Sequence, residues 1–122
     1  MIGFSLSVNE LKGSVTEELI AKTRNAGYRK GLKYLKDELR GNRIFHAERL
    51  SPWSSLPELI KYLESGNGSC QLLYNGGYPY LLIAQGKDII HHIADAPGSQ
   101  QTELRELLDG EAFYLLEAWD LS

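Results

Sequence analysis

Apolar and polar positions along the chain change period several times, and the changes mark out the expected elements. Residues 2–8 alternate, with Phe4, Leu6 and Val8 on one side and Ser5 and Ser7 on the other. A period of two is that of a half-buried strand. Ser14-Val15-Thr16-Glu17 then has the capping-box pattern that opens a helix. Val15, Leu19 and Ile20 share a face of that helix, and Asn25-Ala26-Gly27 supplies its end. Tyr28, Leu32, Leu35 and Leu39 step by four, three and four, predicting a second helix over 28–40 that Gly41-Asn42 stops. Residues 43–50 fit either a short strand or an extended connection. Ser51-Pro52-Trp53 is turn material. Ser55 with Glu58 makes a second capping box, and Leu56, Leu59, Ile60 and Leu63 give a third helix its apolar face.

The stretch 70–95 carries three short apolar runs, 71–74, 80–85 and 88–94. Asn75-Gly76-Gly77 and Gly86-Lys87 separate them, and such dipeptides supply the positive φ angles of tight hairpins. The runs are rich in Tyr, Ile and Leu at strand length, which predicts an antiparallel meander. Ala96-Pro97-Gly98-Ser99 breaks the chain, a short helix follows over about 101–108, and Asp109-Gly110 turns into a last strand over 111–121. Its run 113–116 is apolar on both faces, as an interior strand would be. The expected fold is α+β: one domain over residues 1–122, a largely antiparallel sheet with a central β-meander, and three to four helices.

At 122 residues the chain is long enough to bury a core without staples. No apolar run reaches the roughly 20 residues of a membrane helix, and the first residues lack the basic start and apolar middle of a signal peptide. The lone Cys70 permits neither an internal disulfide nor a cysteine metal cage, and fits a reducing cytoplasm. Charge changes the picture more. Residues 1–50 carry ten Lys/Arg against six Asp/Glu, whereas residues 51–122 carry three against ten. Such a dipolar protein steers a charged macromolecule toward one face.

Candidate chemistry is thin. His91 and His92 are adjacent, and on a strand adjacent residues face opposite ways, so the two do not line one site there. His46 stands apart from both, and no ligand spacing joins the three into a metal site. The pairs Glu103/Glu106 and Asp109/Glu111 read as a solvated helix face and a turn. No base or cation lies near Cys70 in sequence, so its thiol reads as structural. The Gly66-Asn67-Gly68-Ser69 loop follows a helix and precedes a strand, the reverse of a phosphate-binding loop. The basic stretch 24–43 offers Arg29, Lys30, Lys33, Lys36 and Arg40 to phosphates, against a pI near 5.6 that is low for a dedicated nucleic-acid binder. Tyr74, Tyr78 and Tyr80 cluster around the expected hairpin turn, and tyrosine is enriched at protein–protein hot spots. Asp88, Glu117, Trp119 and Asp120 add an acidic and aromatic surface, completing the set expected to bind a partner.

No convergent polar constellation stands out, so the chain reads as a binding protein rather than an enzyme, with no cofactor and no metal. Its length, cytosolic character, acidic region 58–120 and the run LLYNGGYPYLLIAQGKDIIHHIAD resemble the small immunity proteins that bacteria encode beside contact-dependent and other polymorphic toxins. The resemblance implies a cytoplasmic inhibitor that binds one cognate toxin domain, often a nuclease with a basic cleft, and occludes its active site. Two other classes stay open: a nucleic-acid-binding regulator using the basic helix, and a small enzyme with a single catalytic histidine.

Overall fold

In the computed structural model, which describes residues 4–12, 17–49, 56–65, 70–74, 80–95 and 100–120, five strands form one antiparallel sheet. The strands are β1 (Phe4–Leu11), β2 (Arg40–Arg49), β3 (Gln71–Tyr74), β4 (Tyr80–Gln85) and β5 (Phe113–Asp120). Their order across the sheet is β2-β1-β5-β4-β3. Five α-helices accompany them: α1 (Glu17–Asn25), α2 (Tyr28–Tyr34), α3 (Leu56–Ser65), α4 (Gly86–Asp95) and α5 (Gln100–Leu107). The α+β class with an antiparallel sheet is therefore as the sequence predicts. The last strand takes the central place its two-sided apolar run asks for, and residues 114–118 are buried without a break.

Side-chain alternation sends the strands' apolar residues into two separate cores. Leu6, Val8, Leu82, Ala84, Leu116 and Ala118 point to one face, where Leu59 and Leu63 of α3, Ile89 and Ile93 of α4, and Leu104 of α5 cover them. Leu81, Ile83 and Leu115 point to the other, where Ile20 of α1 meets Leu35 and Leu39. Those two leucines belong to a π-helical turn, Leu35–Leu39, that continues α2 and closes with the Arg40 N–H on the Leu35 carbonyl. Both leucines are buried, and from this turn the chain enters β2 directly. Gly27, at φ +83°, makes the bend between α1 and α2 that the sequence expects there.

Two expectations are corrected. The run 88–94 is not a third strand of a meander: β3 and β4 form the hairpin, and the chain passes from Gln85 straight into α4. Ile89 and Ile93, four residues apart, are the fully buried pair, which is a helical spacing. Gly86 is accordingly no hairpin turn. Its N–H bonds the Ala112 carbonyl at 2.8 Å and the Lys87 N–H bonds the Gly110 carbonyl at 2.7 Å, so residues 110 and 112 satisfy two of the free amides of α4's first turn. Likewise Gly41-Asn42 does not stop a helix in a loop but lies within β2. A Cβ on Gly41 would fall 2.7 Å from the Glu10 Cγ, so glycine there answers a close approach between paired strands. Both expected capping boxes, the turn 51–53, the loop 66–69, the hairpin turn 75–77 and the break 96–99 involve positions outside the described residues. No helix among the described residues is long and apolar enough to cross a membrane.

Candidate functional site

The helical reading of 86–95 brings together residues that the sequence scatters. Helices α3 and α4 pack side by side through Leu59, Leu63, Ile89 and Ile93, leaving a cleft of about 480 Å³ along their exposed flank. Tyr62 and Ser65 line it from α3, and Lys87, Asp88 and His91 from α4. Asp88 and His91 are three apart, hence one above the other on the helix. Cys70 forms part of the floor, with its thiol donating to the Leu63 carbonyl near the end of α3. That bond and the residue's burial make Cys70 a structural cap.

Tyr62 stands 38% exposed at the mouth, with its ring centroid 5.9 Å from the His91 ring and 5.4 Å from that of His92. The expectation that the two histidines face opposite ways is thus overturned, because adjacent helical residues are only about 100° apart. Together the three rings make an aromatic wall. Beside it the Asp88 Oδ2 is buried with no hydrogen-bond partner, and no ion pair ties Lys87 to this carboxylate. An unpartnered buried carboxylate oxygen is costly.

A second polar group lies on the opposite face of the sheet. Ser7, His46 and Glu117 are register neighbours across β1, β2 and β5. Ser7 Oγ is 2.8 Å from His46 Nδ1, and His46 Nε2 is 3.2 Å from Glu48 Oε1. In the Nε2–H tautomer, Ser7 donates to the ring and the ring donates to Glu48, so both contacts are satisfied at once. A serine, a histidine and a carboxylate in a chain suggest an activated nucleophile. The backbone argues against it. Ser7 lies in a strand paired on both sides, where ladder bonding leaves no pair of free amides to hold an oxyanion. Ser7 is also buried. The group is a polar cross-strand row, and His46 has a structural place in it.

Of the residues expected to bind a partner, those described do not converge. Asp88 lies in the cleft, while Glu117 is buried and Trp119 half-buried on the opposite face of the sheet. Tyr80 is half-buried and packs against the larger core rather than standing free. Tyr78 lies outside the described residues, as do the side chains of Tyr74 and Asp120, whose backbones end β3 and β5. The basic set is partly assembled. Arg29, Lys30 and Lys33 are exposed on α2, while Lys36 and Arg40 are half-buried beyond it. Lys30 and Lys33 share their shallow depression with Asp37 and Glu38, which offsets their attraction for phosphates. Arg24 is already held by the Gln71 side chain and the Leu72 carbonyl, at 2.8 and 3.0 Å.

Tyr62, Ser65 and Lys87 have no place in the sequence-level set. Reading 86–95 with a period of 3.6 instead of 2 would have placed Asp88 and His91 on one face, but nothing in the sequence pairs that face with α3. Among the described residues no cluster of His, Cys, Asp and Glu is suited to hold a metal ion. Comparison with family models, curated proteins and solved structures returned no match.

Proposed function

We propose that this chain is a protein-binding inhibitor, a cytoplasmic protein of the immunity type, that presents its acidic helical layer to a basic partner such as a nuclease toxin domain. The observation that carries this reading is the sorting of charge by the fold. Helices α1 and α2 with the π-helical turn carry six Lys/Arg against four Asp/Glu, and α3, α4 and α5 carry three against six. These two sets cover opposite faces of the sheet, so the fold divides the uneven charge of the sequence between two helical layers. A division of charge of this kind steers association and fixes orientation. The candidate chemistry points the same way, since Cys70 and Ser7 are both tied into structural hydrogen bonds.

The test is coexpression with the products of the genes adjoining its own, followed by affinity measurement at low and high salt. The expected result is a tight heterodimer whose affinity falls with salt. Reversing the exposed Glu103 and Glu106 of α5 to lysine weakens it by roughly tenfold or more, mainly through the association rate. Reversing Lys30 and Lys33 to glutamate leaves it unchanged. Absence of a complex, or loss of binding from the α2 changes and not the α5 changes, refutes the reading. Retardation of RNA or DNA that the α2 changes abolish would favour the basic helix as the working surface instead.

A further inference from the structure

We infer that the cleft between α3 and α4 receives an arginine side chain of the protein partner. The owner of that side chain follows from the protein-binding reading; the cleft's affinity for a guanidinium stands on its own lining. Three features select the group. Asp88 is the one carboxylate among the described residues that line the cleft, and no ion pair engages it, so the site offers an unmatched negative charge. Tyr62, with the His91 ring tilted 31° against it, lines the cleft and offers an aromatic surface on which a planar cation stacks. The volume of about 480 Å³ is that of a small-ligand site and admits a whole arginine side chain with water.

Arginine fits better than lysine. Its guanidinium presents several N–H donors in one plane, so one edge bonds a carboxylate while the face lies on a ring. A lysine ammonium does one or the other. Ser65 is already engaged, donating its hydroxyl to the Tyr62 carbonyl at 3.1 Å, which leaves its oxygen as a further acceptor at the mouth. Lys87 opposes the incoming charge, but it is exposed and its flexible stem lets the ammonium move into water. A hydrophobic anchor would leave the Asp88 carboxylate without a counter-charge and is disfavoured.

The experiment uses the full chain and N-acetyl-arginine amide, followed by amide and side-chain NMR shifts. The neutral isostere N-acetyl-citrulline amide is the control. The expected result is saturable binding on the order of millimolar for a fragment of this size, with shifts centred on Tyr62, Asp88 and His91. Citrulline binds at least about tenfold more weakly, since it lacks the charge that Asp88 selects. Asp88→Asn abolishes the preference for arginine over citrulline, and Tyr62→Leu weakens the arginine probe several-fold. Tyr62 is exposed enough that its replacement leaves the fold intact, so the two variants read the site separately from stability. Absent saturable shifts at these residues, equal binding of both probes, or an unchanged preference in Asp88→Asn overturns the inference. A heterodimer that forms while the probe fails refutes the cleft alone. A probe that binds where no heterodimer forms refutes the protein-binding reading alone.

Discussion

Replacing Gly86 with alanine sets two physical effects against each other, and their net sign tests the close approach at the start of α4. Within a helix, alanine is favoured over glycine by about 1 kcal/mol, so propensity alone predicts a gain. The fold predicts a loss. A Cβ at Gly86 would lie 1.9 Å from the Asp109 carbonyl oxygen, 2.8 Å from its carbon and 3.1 Å from Tyr114 Cε2. Two of these atoms are backbone, so relief requires shifting α4 or the segment after α5. Overpacking of this sort costs about 1–3 kcal/mol. The same shift strains the bonds from Gly86 and Lys87 to the Ala112 and Gly110 carbonyls, and the Asp109 N–H to the Tyr114 hydroxyl. Each of these is worth about 0.5–1.5 kcal/mol. Set against the propensity gain, the net expectation is a loss of about 2–4 kcal/mol. Urea unfolding followed by circular dichroism reads it as a midpoint lowered by about 1–3 M. Gly110→Ala is the control, because its Cβ meets only Lys87 Cβ at 3.8 Å, and it stays within about 0.5 kcal/mol of wild type. A Gly86→Ala protein as stable as wild type, or more stable, would refute the close approach.

The cross-strand row makes a smaller prediction. Ser7→Ala removes one part-buried hydrogen bond to His46 and lowers stability by about 1 kcal/mol, whereas Glu48→Gln, at an exposed end, changes it by less than about 0.5. Equal effects from the two, by urea unfolding, would mean that Ser7 does not hold the ring. Leu59 of α3 is fully buried, and Leu59→Ala costs about 2–5 kcal/mol. A thermal midpoint unchanged by that substitution would show that α3 is not docked on the sheet.

Much of the architecture was legible because independent signals agreed. The alternation at the start placed β1, the two-sided apolar run placed β5 at the centre, and the stripe through Leu35 and Leu39 placed α2 and the turn beyond it. Residues 86–95 misled because Gly-Lys is a turn signal and Ile89, Ile90 and Ile93 fit either period in a run so short. What makes the segment helical is tertiary: carbonyls from residues 110 and 112 meet its first amides, and the larger core takes Ile89 and Ile93. Gly41 misled for a related reason, since glycine marks a stop and a close approach alike, and only the position of Glu10 distinguishes them. The site was less legible than the fold. Asp88 was singled out for its charge, but its unpartnered oxygen depends on what fails to pack beside it, and the aromatic wall joins residues about 30 positions apart.

The two helical layers are unequal supports for a site. The described core beneath α3, α4 and α5 holds fifteen buried residues, and that beneath α1 and α2 holds seven. On the smaller side the apolar cover spans β3, β4 and β5, through Leu73, Leu81, Ile83 and Leu115. Toward β1 and β2 the same face turns polar, with Ser5, Ser7, Asn9 and Glu117 buried and His46 and Glu48 beside them. Among the described residues, the more extensive buried apolar contact, which local stability follows, lies beneath α3, α4 and α5. A recognition site gains affinity when its groups are held before the partner arrives. The cleft stands on the layer with the larger core, between two helices anchored by Leu59, Leu63, Ile89 and Ile93, whose side chains are almost wholly buried. The basic residues of α2 stand on the other. The more extensive described core and the cleft with its Asp88 therefore coincide on one side of the sheet, where the proposed reading needs a rigid surface.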